Sequence, residues 1–219
     1  MTTTAADKLS IKDKYCILLK PDIKTCMRLQ EMHTKLRNAP WCADYIGLLK
    51  GRGALPFHMT VIGGIALDPA LSDDRISYVK KELKLFRPDA VTPQIEDITV
   101  IMLSNEAENR LYIGFDFKFQ SKPYVLTGDH GDNEVLRSML NADNFDLDRA
   151  RHITLCALLK LSELKKKREI LNGVKIELEN ILKDHKKHLM EMKLRPQIWK
   201  KPAGEKDWQQ EDLTRNPYI

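Results

Sequence analysis

Phe57-His58-Met59-Thr60-Val61 and, far downstream, Arg151-His152-Ile153-Thr154-Leu155-Cys156 spell the same short word twice. Each holds a histidine, one apolar spacer, a threonine and another apolar residue, in surroundings that read as a strand. Six histidines and eleven threonines scattered at random would give roughly 0.3 His-x-Thr matches, so a second copy 94 positions from the first is informative. Strand side chains alternate between faces, so His58 and Thr60 point one way, as do His152 and Thr154. Two such strands laid side by side bring two imidazoles and two hydroxyls to one spot, which suits metal-free acid–base work on a phosphate ester.

The bulk of the chain sets the frame. Its 219 residues fit one large domain or two joined lobes, and 42% hydrophobic with 31% charged residues is ordinary for a soluble globular protein. No apolar run approaches the roughly 20 residues of a membrane span. Residues 1–12 read as a disordered lead, without the basic start and apolar stretch of a secretory signal, and the Asn-Pro-Tyr-Ile end is not a prenylation box. Cys16, Cys26, Cys42 and Cys156 show no Cys-x-x-Cys spacing, so reduced thiols and a cytoplasmic location are expected. Of the net charge of +5, residues 160–201 contribute +7 and the rest −2, a basic segment suited to a polyanionic neighbour or to a solvated helix face.

Along the chain, Tyr15–Leu19 reads as a strand, and Asp22 then caps a helix with Ile23, Met27, Gln30 and Leu36 at near-helical spacing. A loop from Trp41 leads to a second short strand, and the first motif strand ends at Gly63-Gly64. Ser72–Phe86 is an amphipathic helix; Ile98–Leu103 and Leu111–Phe119 form a hairpin around Ser104-Asn105, with Ile113, Phe115, Phe117 and Phe119 on one face. A further helix is expected at about 133–142. Residues 162–192 are helical, with a possible break at Asn172-Gly173; packing along the domain suits their apolar stripe better than a coiled coil, because His185 interrupts the seam. The domain runs over 13–194, with 195–219 as a C-terminal extension.

This order, with one motif copy in each half, resembles the 2H phosphoesterase superfamily, named for two His-x-Thr/Ser motifs. Arg149-x-Arg151-His152-Ile153-Thr154-Leu155 is similar to the second motif of the 2′,3′-cyclic nucleotide phosphodiesterase catalytic domain. The resemblance implies a bilobal, pseudo-symmetric α+β fold with antiparallel sheets lining a central groove and helices outside. It also implies metal-independent hydrolysis of 2′,3′-cyclic or 2′-5′ phosphodiester linkages in nucleotides or RNA, without a cofactor. His58 and His152 would be the acid–base pair, in either order, and Thr60 and Thr154 would hold the non-bridging phosphate oxygens.

Other residues suit supporting roles or the core. Arg149 and Arg151 flank the second motif and suit a phosphate or base, although in a regular strand Arg151 points away from His152. Tyr112, Phe115 and Phe117 are suited to stacking a base or to core packing. Cys156 shares the face of His152, as a groove residue or a small buried thiol. A zinc site from His58, His152 and Cys156 lacks a fourth ligand nearby. His130 reads as a turn residue, and His33, His185 and His188 as exposed helix positions. Two alternatives stay open: a cyclic dinucleotide or 2′-5′ oligoadenylate substrate, and a non-catalytic RNA-binding module that uses the basic segment.

Overall fold

Alternation of apolar and polar residues builds two antiparallel sheets. A computed structural model describes residues 12–40, 49–50, 57–67, 74, 77, 93–120, 151–205 and 207–210. In chain order the elements are β1 (Asp13–Pro21), α1 (Ile23–Arg37), β2 (Leu49–Lys50), β3 (Met59–Leu67), β4 (Ile95–Asn105), β5 (Arg110–Phe119), β6 (His152–Leu159), α2 (Leu161–Leu164), α3 (Arg168–Met190), β7 (Leu194–Lys201) and β8 (Gln209–Gln210). The first sheet has strand order β3-β1-β7-β8 and the second β2-β6-β5-β4. Helix α3 lies against β4, α1 lies against β6, and the two helices pack together. One continuous apolar core joins Tyr15, Ile17 and Leu19 of β1 to Phe115 and Phe117 of β5 and to Leu178 and Ile181 of α3. Of the helix expected at Ser72–Phe86 only Asp74 and Ser77 are described, both helical; residues 133–142 and the lead before Lys12 lie outside the described residues. Among the described residues no helix is long and apolar enough to cross a membrane.

The α1 cap forms as its sequence dictates. Asp22 accepts hydrogen bonds from Thr25 N at 3.1 Å and Thr25 Oγ1 at 2.9 Å, and also from Lys193 N at 2.9 Å, which ties the helix start to the entry of β7. Burial pushes the Asp22 carboxyl up, but donors from Lys193, Thr25 and Lys24 outweigh it, and its pKa lies below the usual value. A group with a depressed folded pKa stabilises above its unfolded pKa and stops doing so as pH falls through the folded one. Asp22→Ala is therefore expected to cost about 1–2 kcal/mol at neutral pH. The gap in urea midpoint between the two proteins should close in acid; equal midpoints at pH 7 would contradict this role.

Several expectations are corrected. The buried face of α1 carries Thr25, Leu29, Met32 and Leu36, whereas Ile23 and Met27 are 77% and 61% exposed. These two side chains line a cavity of about 620 Å³ between the start of α1 and the end of α3, which includes no motif residue. Strand β3 runs on through Gly63-Gly64, where its register with β1 slips instead of ending. The β4–β5 turn is Glu106–Asn109, two residues later than expected. Asn109 takes the left-handed conformation, φ 51°, that asparagine tolerates, and its Oδ1 accepts from Ser162 N at 2.9 Å. The helical break falls at Lys165–Lys167, between α2 and α3, and α3 continues through Gly173. His185 is buried in the α3 stripe, 3.4 Å from Lys35 Nζ, where burial and that ammonium push its pKa down. His33 is half-buried, while His188 is exposed as expected.

Residues from 195 onward begin inside the first sheet, because β7 pairs along the length of β1 from Lys14↔Lys201 to Pro21↔Leu194. Pro196 lacks an N–H and weakens the strand signal, yet β8 reaches only Trp199 and Lys200, so Pro196 sits where the outer edge of β7 has no neighbour among the described residues.

Candidate functional site

Both motifs present the same face. Around the first, Met59 and Val61 are 0% and 3% exposed and belong to the core, which leaves His58 and Thr60 on the opposite side of the strand. Around the second, Ile153 and Leu155 are fully buried, and His152 and Thr154 take the opposite side. His58 immediately precedes β3 and is itself 8% exposed; His152 and Thr154 are half-buried. The two motif strands are not laddered to each other, because β3 is an edge of the first sheet and β6 lies inside the second. They meet across the sheets, with Cα atoms of β3 and β6 within 8 Å.

The pairing of β6 with β5 slips between Ile113 and Gly114: Ile113 faces Cys156, whereas Gly114 faces Thr154. Leu155 is the extra residue of a β-bulge, a device that re-aims side chains beside it. Beyond the bulge the faces exchange, so Cys156 turns into the core at 1% exposure and does not share the side of His152. The thiol is thereby removed from the imagined zinc set, and among the described residues no group of three or more His, Cys, Asp or Glu side chains gathers as a metal site. Cys16 and Cys26 are also free thiols, and burial pushes Cys16 up to about 12, which keeps it protonated.

Gly114 is required at this point. A Cβ there would sit 2.0 Å from Ile153 O and 2.9 Å from Thr154 Cα, so β5 can come this close to the motif only without a side chain.

The remaining candidates separate. Phe115 and Phe117 are fully buried and serve the core, so neither can stack a base. Tyr112 is half-buried on the other face of β5, opposite Ala157, with its hydroxyl donating to Glu108. It lies four residues from the strand position opposite His152, roughly 13 Å along the strand. Arg151 does not simply point away: its Nε is 3.3 Å from Asp116 Oδ1, and Asp116 is the β5 residue opposite His152. The sequence motifs do not single out Asp116, which the structure places beside His152 and Arg151. The signal for it was a carboxylate in the same alternating row as Gly114, on a strand whose other face is wholly apolar. Arg149 and His130 lie outside the described residues. In the basic segment Lys160, Lys165, Lys175, Lys186 and Lys200 each pair with a carboxylate, which reduces the charge that a polyanion would meet.

The sequence matches no protein-family model and no curated protein. The fold is similar to that of Kluyveromyces marxianus Usb1, with a TM-score of 0.55 at 10% identity, covering 92% of this chain and 98% of that one. It is similar also to the same protein with uridine monophosphate, with a TM-score of 0.52 at 10% identity, covering 90% and 96%. A conserved Agrobacterium tumefaciens str. C58 protein of unknown function aligns with a TM-score of 0.45 at 14% identity over 94% and 90%. The chain thus has a mixed α+β fold with two antiparallel sheets, similar to that of Usb1.

Proposed function

We propose that this protein is a metal-independent phosphodiesterase of the 2H type, acting on 2′,3′-cyclic or 2′-5′ phosphodiester linkages in nucleotides or RNA. The observation that carries this reading is the matched placement of two His-x-Thr pairs, each off the core face of its strand, on strands of different sheets whose Cα atoms come within 8 Å of each other. Hydrolysis of a cyclic phosphate needs a proton taken from water and a proton given to the departing ribose oxygen. Two imidazoles, one neutral and one protonated, do both near neutral pH. Thr60 and Thr154 are assigned to the non-bridging oxygens. The likeness in fold to a protein seen with uridine monophosphate supports a nucleotide substrate. A location in the cytoplasm belongs to the same reading.

Incubation with 2′,3′-cyclic AMP and with 2′-5′ oligoadenylate, with products separated by chromatography, distinguishes the substrates. Turnover of at least one is expected, undiminished by EDTA. Failure with both, and with a cyclic dinucleotide, would contradict the assignment, as would loss of turnover on chelation. RNA binding without product that survives loss of both histidines would instead support the binding-module alternative.

A further inference from the structure

Asp116 stands directly across the ladder from His152. Phe117 N donates to Arg151 O at 2.7 Å, so residues 117 and 151 form a hydrogen-bonded pair. The next pair along the ladder, Asp116 and His152, is therefore of the non-hydrogen-bonded kind. In such pairs the Cα atoms approach to about 4.5 Å and the side chains stand closest. Both side chains rise from the face opposite the core, since Phe115, Phe117 and Ile153 occupy the core face. Next to them Gly114, opposite Thr154, has no side chain to separate the strands. Asp116 Oδ1 is buried and makes no aligned hydrogen bond, with Arg151 Nε 3.3 Å away. Burial pushes the Asp116 carboxyl up, and the attraction of Arg151 and His152 opposes it. A carboxylate attracted by an imidazolium stabilises that imidazolium equally.

We infer that Asp116 is a positioning residue for His152: held by Arg151, its carboxylate orients the ring and keeps it as the imidazolium, so that His152 is the proton donor and His58 the acceptor. The inference rests on the two-histidine reading above. Among the described residues, Asp116 and Lys118 of β5 share this face, Arg151 reaches Asp116 from beside the start of β6, and Lys118 pairs with Glu96 of β4. Helix α1 covers the other side of β6, where Ile153 and Leu155 join Leu29 and Leu36 in the core.

The experiment is an NMR titration of the histidine rings in the free protein, paired with pH–rate profiles on 2′,3′-cyclic AMP. In Asp116→Asn the His152 midpoint should fall by about one pH unit while His58 keeps its own. Above that midpoint, kcat should fall about tenfold with KM nearly unchanged, because the donor fraction falls with it. Arg151→Gln removes the competing cation and should move the His152 midpoint upward, a test that survives if Asp116→Asn does not fold. An unchanged His152 midpoint in both variants would overturn the role of Asp116, whatever the activity. Shifted midpoints in a protein that turns over no member of the substrate panel would uphold Asp116 and defeat the phosphodiesterase reading, so the two failures are distinguishable.

Discussion

His58→Ala and His152→Ala should each lower turnover of the cleaved substrate by about 100- to 10,000-fold, the usual contribution of one general acid–base group. The double variant should be little worse than the weaker single one, because residues that act as a unit do not add. Neither ring is a core side chain in the sense of Met59 or Ile153, which are fully buried, so both variants should remain folded. Far-ultraviolet circular dichroism with a thermal melt checks this alongside the kinetics. Retained activity in both single variants would refute the two-histidine mechanism.

Gly114→Ala should cost stability and activity together. The added methyl would need to occupy space 2.0 Å from Ile153 O, and its neighbour is backbone, which cannot swing aside as a flexible side chain does. Either β5 separates from β6 or the bulge at Leu155 shifts, and each moves the His152–Thr154 face. Overpacking of this kind costs about 1–3 kcal/mol or more. For a chain of this size that lowers Tm by roughly 2–12 °C. Turnover should fall even well below the new Tm, because the displaced strand carries the motif. An alanine variant with unchanged Tm and full activity would show that the strands are not held this closely.

The two faces of the hairpin, the N-cap at Asp22 and the off-core side of each motif were legible because they follow from local periods of two and from one capping side chain. What was not legible depends on partners distant in sequence. Residues 195–201 pair with β1, some 180 positions earlier, and Pro196 disguised them. The buried face of α1 includes the polar Thr25, while the apolar Ile23 and Met27 stay outside it, so hydropathy alone selected the wrong stripe. The bulge that turns Cys156 into the core is a property of two strands in register, and no residue type announces it. Asp116 was visible as a face position but gained meaning only when its cross-strand partner proved to be His152.

The central claim is that the imidazoles of His58 and His152 serve one phosphorus atom. A crystal structure of the protein with a nucleoside 2′-monophosphate tests it most directly. The account predicts one phosphate within hydrogen-bond reach of both rings, with Thr60 and Thr154 on its free oxygens. A phosphate bound elsewhere, or rings too far apart to touch the same group, would contradict it.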